Sequence, residues 1–231
     1  IPFSEKVLNN IKDPKENILY LLEISSFQLE FIKHFSPDIL VYTNISPDHL
    51  DRHGSMEEYI NMKLNALMNM KHEGQIVYNK DDAILEKVLS PFPHKKQPFS
   101  TKSKDVLYKI DNKNIIGPSD DKLLNIDELS IPGEHNLQNF LAASTCSHLM
   151  GIPQNQIVKS MKEFKGVEHR LEYVRTINEA DYINDSKATN IDSVIVAINT
   201  YKQPIVLILG GFNKGANFRL LLPHIKSSHV R

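Results

Sequence analysis

Glu23, His49 and Lys63 are the residues whose types and surroundings most suggest cation and phosphate chemistry. Glu23 closes an apolar run, Asn17 to Leu22, and a second run, Asp38 to Thr43, leads through Asn44, Ser46 and Asp48 to His49. Polar residues just past the carboxyl ends of buried strands are what a ligand crevice in an α/β sheet requires. A carboxylate is a hard oxygen donor of the kind Mg²⁺ prefers, with further oxygens borrowed from phosphates. Glu23 could take such a position, or could serve only as an acid favoured by the dipole of the following helix. His49 could ligate a metal or touch a phosphate, or could be an ordinary loop histidine; His53 is a nearby competitor with less context. Lys63 falls close to the apolar stripe of its helix, where an unpaired ammonium pays desolvation. It could snorkel to water, bind phosphate, or lose its proton and add CO₂ to give an anionic carbamate.

Three further stretches carry polar groups at useful spacings. Asn136 and Asn139, one helical turn apart in Gly-Glu-His-Asn-Leu-Gln-Asn, could hydrogen-bond a purine edge or the neighbouring backbone. N-capping alone would account for Asn136 but not for Asn139. Asn-Asp-Ser-Lys-Ala-Thr-Asn at 184–190 sets Asp185, Lys187 and Thr189 beside a helix N-terminus, a natural anion or ribose site. Gly-Gly-Phe-Asn-Lys-Gly at 210–215 is a glycine turn with Lys214 over it, or a plain turn. No G-x-x-x-x-G-K-[ST] loop occurs in the chain.

The elements that must position these groups alternate. Strands are expected at Asn17–Glu23, Asp38–Thr43 and Gln75–Tyr78, with helices at Ser25–His34, Ser55–Met70 and Asp81–Leu89. Ser55 and Glu58 have capping-box spacing. This alternation predicts an α/β fold, with a mostly parallel sheet flanked by helices. The stretch 92–131 breaks into short β-prone runs divided by turn sequences and predicts a small antiparallel ribbon. Helices follow at 133–150 and 153–164, strands at 172–176 and 181–184, a helix at 190–200, an apolar strand at 204–209 and a helix from Phe218. The first fifteen residues read as an amphipathic helix or connector. The last third reads as the start of a second α/β unit, with the boundary near Gly166. The expected domains are thus 1–166 and 167–231.

Charge is balanced, with 27 basic and 28 acidic residues, so nothing marks a nucleic-acid surface. The single cysteine, Cys146, excludes an internal disulfide. No apolar run approaches the ~20 residues of a membrane span. The start has no signal-peptide layout and no initiator methionine, which suggests a piece of a longer chain.

Taken together and in order, several stretches resemble the bacterial Mur ligases. They are Glu-Ile-Ser-Ser-Phe-Gln-Leu-Glu, Asn-Ile-Ser-Pro-Asp-His-Leu-Asp-Arg-His, Tyr-x-x-x-Lys, Gly-x-His-Asn-x-x-Asn, His-Arg-Leu-Glu, Asn-Asp-Ser-Lys-Ala-Thr-Asn and Gly-Gly-x-x-Lys-Gly. The Ser-Ser-Phe-Gln-Leu-Glu and Ser-Lys-Ala-Thr-Asn versions are similar to the D-glutamate-adding members, and argue against a folylpolyglutamate synthetase. The resemblance implies an incomplete P-loop-type central domain followed by part of a Rossmann-like ligase domain. It implies ATP-dependent joining of D-glutamate to UDP-N-acetylmuramoyl-L-alanine through an acyl phosphate, in peptidoglycan synthesis and hence cell shape and division. It further implies a cytoplasmic protein, monomeric at full length, with no nucleic-acid or membrane partner.

By motif match, Glu23, His49 and a carbamylated Lys63 hold Mg²⁺, and Ser25 approaches the muramoyl substrate. Asn136 and Asn139 meet adenine, Arg170 meets phosphate and Asp185 meets ribose. Lys187, Thr189 and Lys214 surround D-glutamate and the reacting centre. His49, Lys63, Lys187 and Lys214 are the residues expected to act in catalysis. The family's P-loop, its UDP-binding domain and the end of its C-terminal domain are expected to lie outside this chain, which should then not turn over ATP alone. Phe212 and Asn217 depart from positions that are often acidic or small in the family. The reading of another class is a catalytically silent nucleotide-binding module.

Overall fold

The computed structural model describes residues 3–12, 18–211, 217–227 and 229–230. The chain forms two compact units, Ile1–Ser36 with His49–Met70, and Pro37–Asp48 with Lys71–Arg231. Gly166, the boundary expected from sequence, lies inside the second unit.

Among its described residues the first unit holds α1 (Phe3–Lys12), α2 (Ser26–Leu29), α3 (Leu50–His53) and α4 (Met56–Leu64). Ser25 starts α2 with a reciprocal cap, its Oγ accepting from the Gln28 N–H while Gln28 Oε1 accepts from the Ser25 N–H. The helix expected to reach His34 stops at Leu29. Beyond it the Lys33 carbonyl accepts from the Asn69 side chain at 2.8 Å. Phe31, expected on the buried stripe, is exposed. Ser55 Oγ accepts from the Glu58 N–H and starts α4. The expected run to Met70 tightens after Leu64 into a 3-10 turn at Asn65–Leu67, which buries Ala66 and Leu67.

The strand expected at Asn17–Glu23 is not formed over its described residues, 18–23. A strand exists by its ladder of hydrogen bonds. Residues 18–23 have no such ladder among the described residues, and Leu21 is 89% exposed. Glu23 is therefore not at a strand end.

In the second unit, β1 (Ile39–Tyr42), β2 (Gln75–Asn79), α5 (Ala83–Leu89) and β3 (Lys95–Phe99) give a parallel sheet in the order β1-β2-β3. Ile76 and Val77 point to opposite faces of β2 and both are fully buried, so both faces of the sheet are covered. Sequence did not predict β3. Lys-Lys-Gln-Pro-Phe has no apolar alternation, and its proline is tolerated because the strand lies at an edge.

The antiparallel ribbon is β4 (Lys109–Asp111), β5 (Asn114–Ile116) and β6 (Lys122–Asn125). Asn112 and Lys113 both take positive φ, as a two-residue hairpin turn demands. Next come α6 (Glu134–Leu149), α7 (Gln154–Glu163), β7 (Glu172–Ile177) and β8 (Ala180–Asn184). One core joins Val77 and Phe99 of the sheet, Ile115 and Leu124 of the ribbon, Leu141 of α6 and Met161 of α7. The ribbon is thus part of the main core.

Asn190 caps α8 (Ile191–Thr200), accepting from the Ser193 N–H at 2.9 Å. The strand expected at 204–209 reduces to one parallel bridge, Ile205 to Val230. Leu207 packs with α8, while Val206 and Ile208 face solvent. The helix expected from Phe218 begins as a 3-10 turn, Phe218–Leu221, and continues as α9 (Leu222–Ser227). Among the described residues no helix is long and apolar enough to cross a membrane.

Candidate functional site

Glu23, Ser25, His49 and Lys63 all belong to the first unit. His49 stands at the N-cap of the single-turn α3 in left-handed backbone, φ 53°, and its carbonyl accepts from the Arg52 and His53 N–H groups at 3.0 Å each. Such a backbone costs about 1–3 kcal/mol in a non-glycine residue, so tertiary contacts must hold this turn. The Arg52 guanidinium grips the Glu30 carboxylate of the first unit at 2.8 and 3.0 Å. His53 is buried, with Nε2 3.0 Å from the Ser26 hydroxyl.

A run of rings connects the predicted residues. The Phe27 ring meets His49 edge-on at 4.9 Å and stacks on His53 at 5.4 Å. His53 lies 5.3 Å from Tyr59, and Lys63 Nζ sits 5.0 Å above the Tyr59 ring. The i,i+4 spacing of Tyr59 and Lys63 on α4 produces that last contact. Glu23 and His49 are exposed and Lys63 is half-buried. The Ser25 hydroxyl is engaged in the α2 cap. Among the described residues, no group of three or more His, Cys, Asp or Glu side chains could hold a metal.

The second unit gathers most of the other predicted residues. A cavity of about 370 Å³ between α6 and α7 is lined by Asn136, Asn139 and Arg170, with Phe140, Met161 and Phe164 among its apolar walls. Phe140 and Phe164 meet edge to face at 5.9 Å. Asn136 Nδ2 donates to the Pro132 carbonyl at 2.7 Å, tying the start of α6 to the preceding turn. Gly133 takes φ +103°, and a Cβ there would lie 2.6 Å from His135 Cε1. Glycine is required for that entry.

Arg170 sits between two left-handed residues, His169 at φ 68° and Leu171 at φ 44°. The Leu171 N–H donates to Asp185 Oδ1 at 3.1 Å, and the Lys187 N–H to the His169 carbonyl at 3.1 Å. Asp185 therefore spends one oxygen on holding the loop that presents Arg170. Burial pushes the His135 imidazole below its ordinary value, and Asp185 pulls it back up in part. Burial, then Asp185 and Asp181, pushes the Tyr201 phenol up. Lys187 and Thr189 are exposed on the turn between β8 and α8, and Lys214 lies outside the described residues.

A cavity lined by two amides and a guanidinium beside apolar walls suits a planar base carrying an anion. Residues 5–147 match the model of the Mur ligase middle domain. The chain belongs to the Mur ligase family.

Within the family, this Mur ligase chain is 43% identical over 224 residues to the UDP-N-acetylmuramoylalanine--D-glutamate ligase of Clostridioides difficile, covering 96% of this chain and 50% of that protein. It is 37% identical over 216 residues to the enzyme of the same name from Bacillus cereus, covering 94% and 48%. The chain spans about half the length of these curated relatives. The MurF ligase of Thermotoga maritima in complex with ADP shares the fold, with a TM-score of 0.65 at 16% identity over 89% of this chain and 50% of that one.

Motif spacing in this Mur ligase did not single out Glu172, Asn184 or Phe164. Glu172 and Asn184 were visible only as members of His-Arg-Leu-Glu and Asn-Asp-Ser-Lys-Ala-Thr-Asn, and their contacts with each other arise from the hairpin. Tyr59 was visible only as part of Tyr-x-x-x-Lys. Asn217, the described one of the two departures from family pattern, has a local role, accepting from the Arg219 N–H at 3.2 Å. Phe212 lies outside the described residues.

Proposed function

We propose that this chain carries the adenine side and the metal side of an ATP-dependent amide ligase that joins D-glutamate to UDP-N-acetylmuramoyl-L-alanine. The names of the curated relatives support the substrates. The observation that carries the nucleotide reading is the shared cavity of Asn136, Asn139 and Arg170. Two amides can satisfy the donor and acceptor edge of adenine while apolar walls cover its faces. A guanidinium is suited to phosphate by its planar fork. Asp185, already fixed by the Leu171 N–H, is our candidate for the ribose hydroxyls.

In the proposed reaction, ATP phosphorylates the muramoyl carboxylate and the amine of D-glutamate attacks the acyl phosphate. Two anions must be held in reach of each other with their charge offset. We assign that task to Lys187 and Lys214, with Thr189 and Ser25 contacting substrate. The domain division 1–166 and 167–231 belongs to the same proposal, with Gly166 at the joint.

The donors in the first unit suit Mg²⁺ on chemical grounds if Lys63 is carbamylated. Glu23 supplies one hard oxygen, and a carbamate would supply others. His49, a softer donor, fits better through a water or a phosphate. Bound Mg²⁺ would offset phosphate charge. The Tyr59 ring beneath Lys63 favours the ammonium, so carbamate formation must displace that contact. Work on a cytoplasmic peptidoglycan precursor completes the reading.

The test is phosphate release by the protein at the full length of its relatives. Release should require UDP-N-acetylmuramoyl-L-alanine and D-glutamate together. Release with another amino acid in place of D-glutamate would overturn the substrate assignment. Absence of any release would favour a nucleotide-binding module without turnover.

A further inference from the structure

We infer that Glu172 and Asn184 are positioning residues for Arg170, acting through His169; the inference rests on the proposed nucleotide role of Arg170. Glu172 and Asn184 face each other as the first rung of the β7–β8 hairpin. From that rung they reach back to the preceding loop. Glu172 Oε2 accepts from the His169 backbone N–H at 2.8 Å and from Asn184 Nδ2 at 3.1 Å. Asn184 Nδ2 also lies 2.8 Å from His169 Nδ1.

The orientation of the Asn184 amide is set by its other end, because Oδ1 accepts from the Ser186 N–H at 3.1 Å. The NH₂ group therefore faces the imidazole and must donate to it. His169 Nδ1 is then the acceptor, and the ring proton sits on Nε2. Backbone and side chain of His169 are both held by the hairpin rung. The Leu171 N–H is held by Asp185 from the same turn. Arg170, between these two anchored left-handed residues, lines the cavity. A left-handed backbone at two non-glycine residues persists only where its surroundings over-determine it, and here the rung and Asp185 do so.

The test uses the 231-residue chain and its Glu172→Ala, Glu172→Gln, Asn184→Ala and Arg170→Ala variants. The first readout is the His169 ring by ¹⁵N NMR, with amide exchange at Arg170 and Leu171. The second is ADP affinity by calorimetry. The wild type should show the Nε2–H tautomer. Asn184→Ala and Glu172→Ala should lose that preference, speed amide exchange in the loop, and weaken ADP about tenfold or more, the loss expected for one charge-assisted hydrogen bond. Glu172→Gln keeps an acceptor oxygen and should stay within about twofold of wild type in affinity. Each weakened variant combined with Arg170→Ala should lose little beyond Arg170→Ala alone, since coupled residues are non-additive.

The inference is overturned if Asn184→Ala and Glu172→Ala leave the tautomer and loop exchange unchanged. It is also overturned if Arg170→Ala weakens ADP while those two variants do not. If Arg170→Ala leaves ADP affinity unchanged, the nucleotide reading fails, and the NMR readout alone decides the positioning role. Glu172 is only half-buried at the hairpin start, so its two variants still decide the matter should Asn184→Ala fail to fold.

Discussion

Asn136 and Asn139 line the same cavity, yet the structure predicts that their removal has separable effects. Asn136 donates to the Pro132 carbonyl at 2.7 Å, a bond that sets the entry of α6. Asn136→Ala forfeits that bond, worth about 0.5–1.5 kcal/mol, against a gain of up to about 0.7 kcal/mol in helix propensity. Among the described residues no side-chain hydrogen bond is recorded for Asn139, which is exposed on α6. Asn139→Ala should therefore keep the propensity gain alone. The difference is about 1 kcal/mol, or about 2–4 °C in Tm for a chain of this size, with Asn139→Ala the more stable. Ligand binding should order differently. A bidentate amide on the adenine edge is worth about 1–3 kcal/mol, so Asn139→Ala should weaken ADP by roughly 5- to 150-fold without loss of stability. Differential scanning calorimetry and isothermal titration on both variants give the two numbers. An Asn139→Ala protein that melts below Asn136→Ala, or that binds ADP within about twofold of wild type, would refute the reasoning.

Two further outcomes follow. If Lys63 carries the proposed carbamate, Lys63→Ala in the protein at the full length of its relatives should cripple the proposed phosphate release and be partly rescued by short carboxylic acids; a normal rate would remove Lys63 from the site. His135 has a folded-state value below the ordinary 6.5 because of burial, so its stabilising effect is fully present above that pH and is lost as pH falls through the folded value. The urea midpoint should decline on acidification below 6.5, and His135→Gln should flatten that part of the profile; an identical decline in both proteins would exclude His135 as the source.

The parts of the fold legible in the sequence were those whose signal is local. Ser55 and Asn190 are caps, and a cap is read from side-chain type and position. The antiparallel ribbon was visible from its turn residues, two of which, Asn112 and Lys113, take the positive φ such turns need. What failed was whatever depends on distant partners. Leu19 and Leu21 look like a buried strand, but a ladder partner decides that, and none is present among the described residues. Val206 and Ile208 fail for the same reason. The opposite error is β3, whose lysines and proline hide a strand that β2 recruits by parallel pairing.

The site divides along the same line. Asn136, Asn139 and Arg170 were legible as motif residues, and the fold brings all three to one cavity. The contacts that support them were not. His53 looked like a weaker copy of His49, yet it is the buried anchor of α3, bonded to Ser26 and set between Phe27 and Tyr59. Glu172 and Asn184 matter through a hairpin register that no spacing rule reveals.

The most direct test of the central claim is an NMR titration of the ¹⁵N-labelled chain with ADP. The account predicts saturable shifts in the Asn136 and Asn139 side-chain amides and in Arg170 Nε, all with one dissociation constant. Saturable shifts confined instead to the separate cleft lined by Asp127, Gln138 and Lys202 would contradict it.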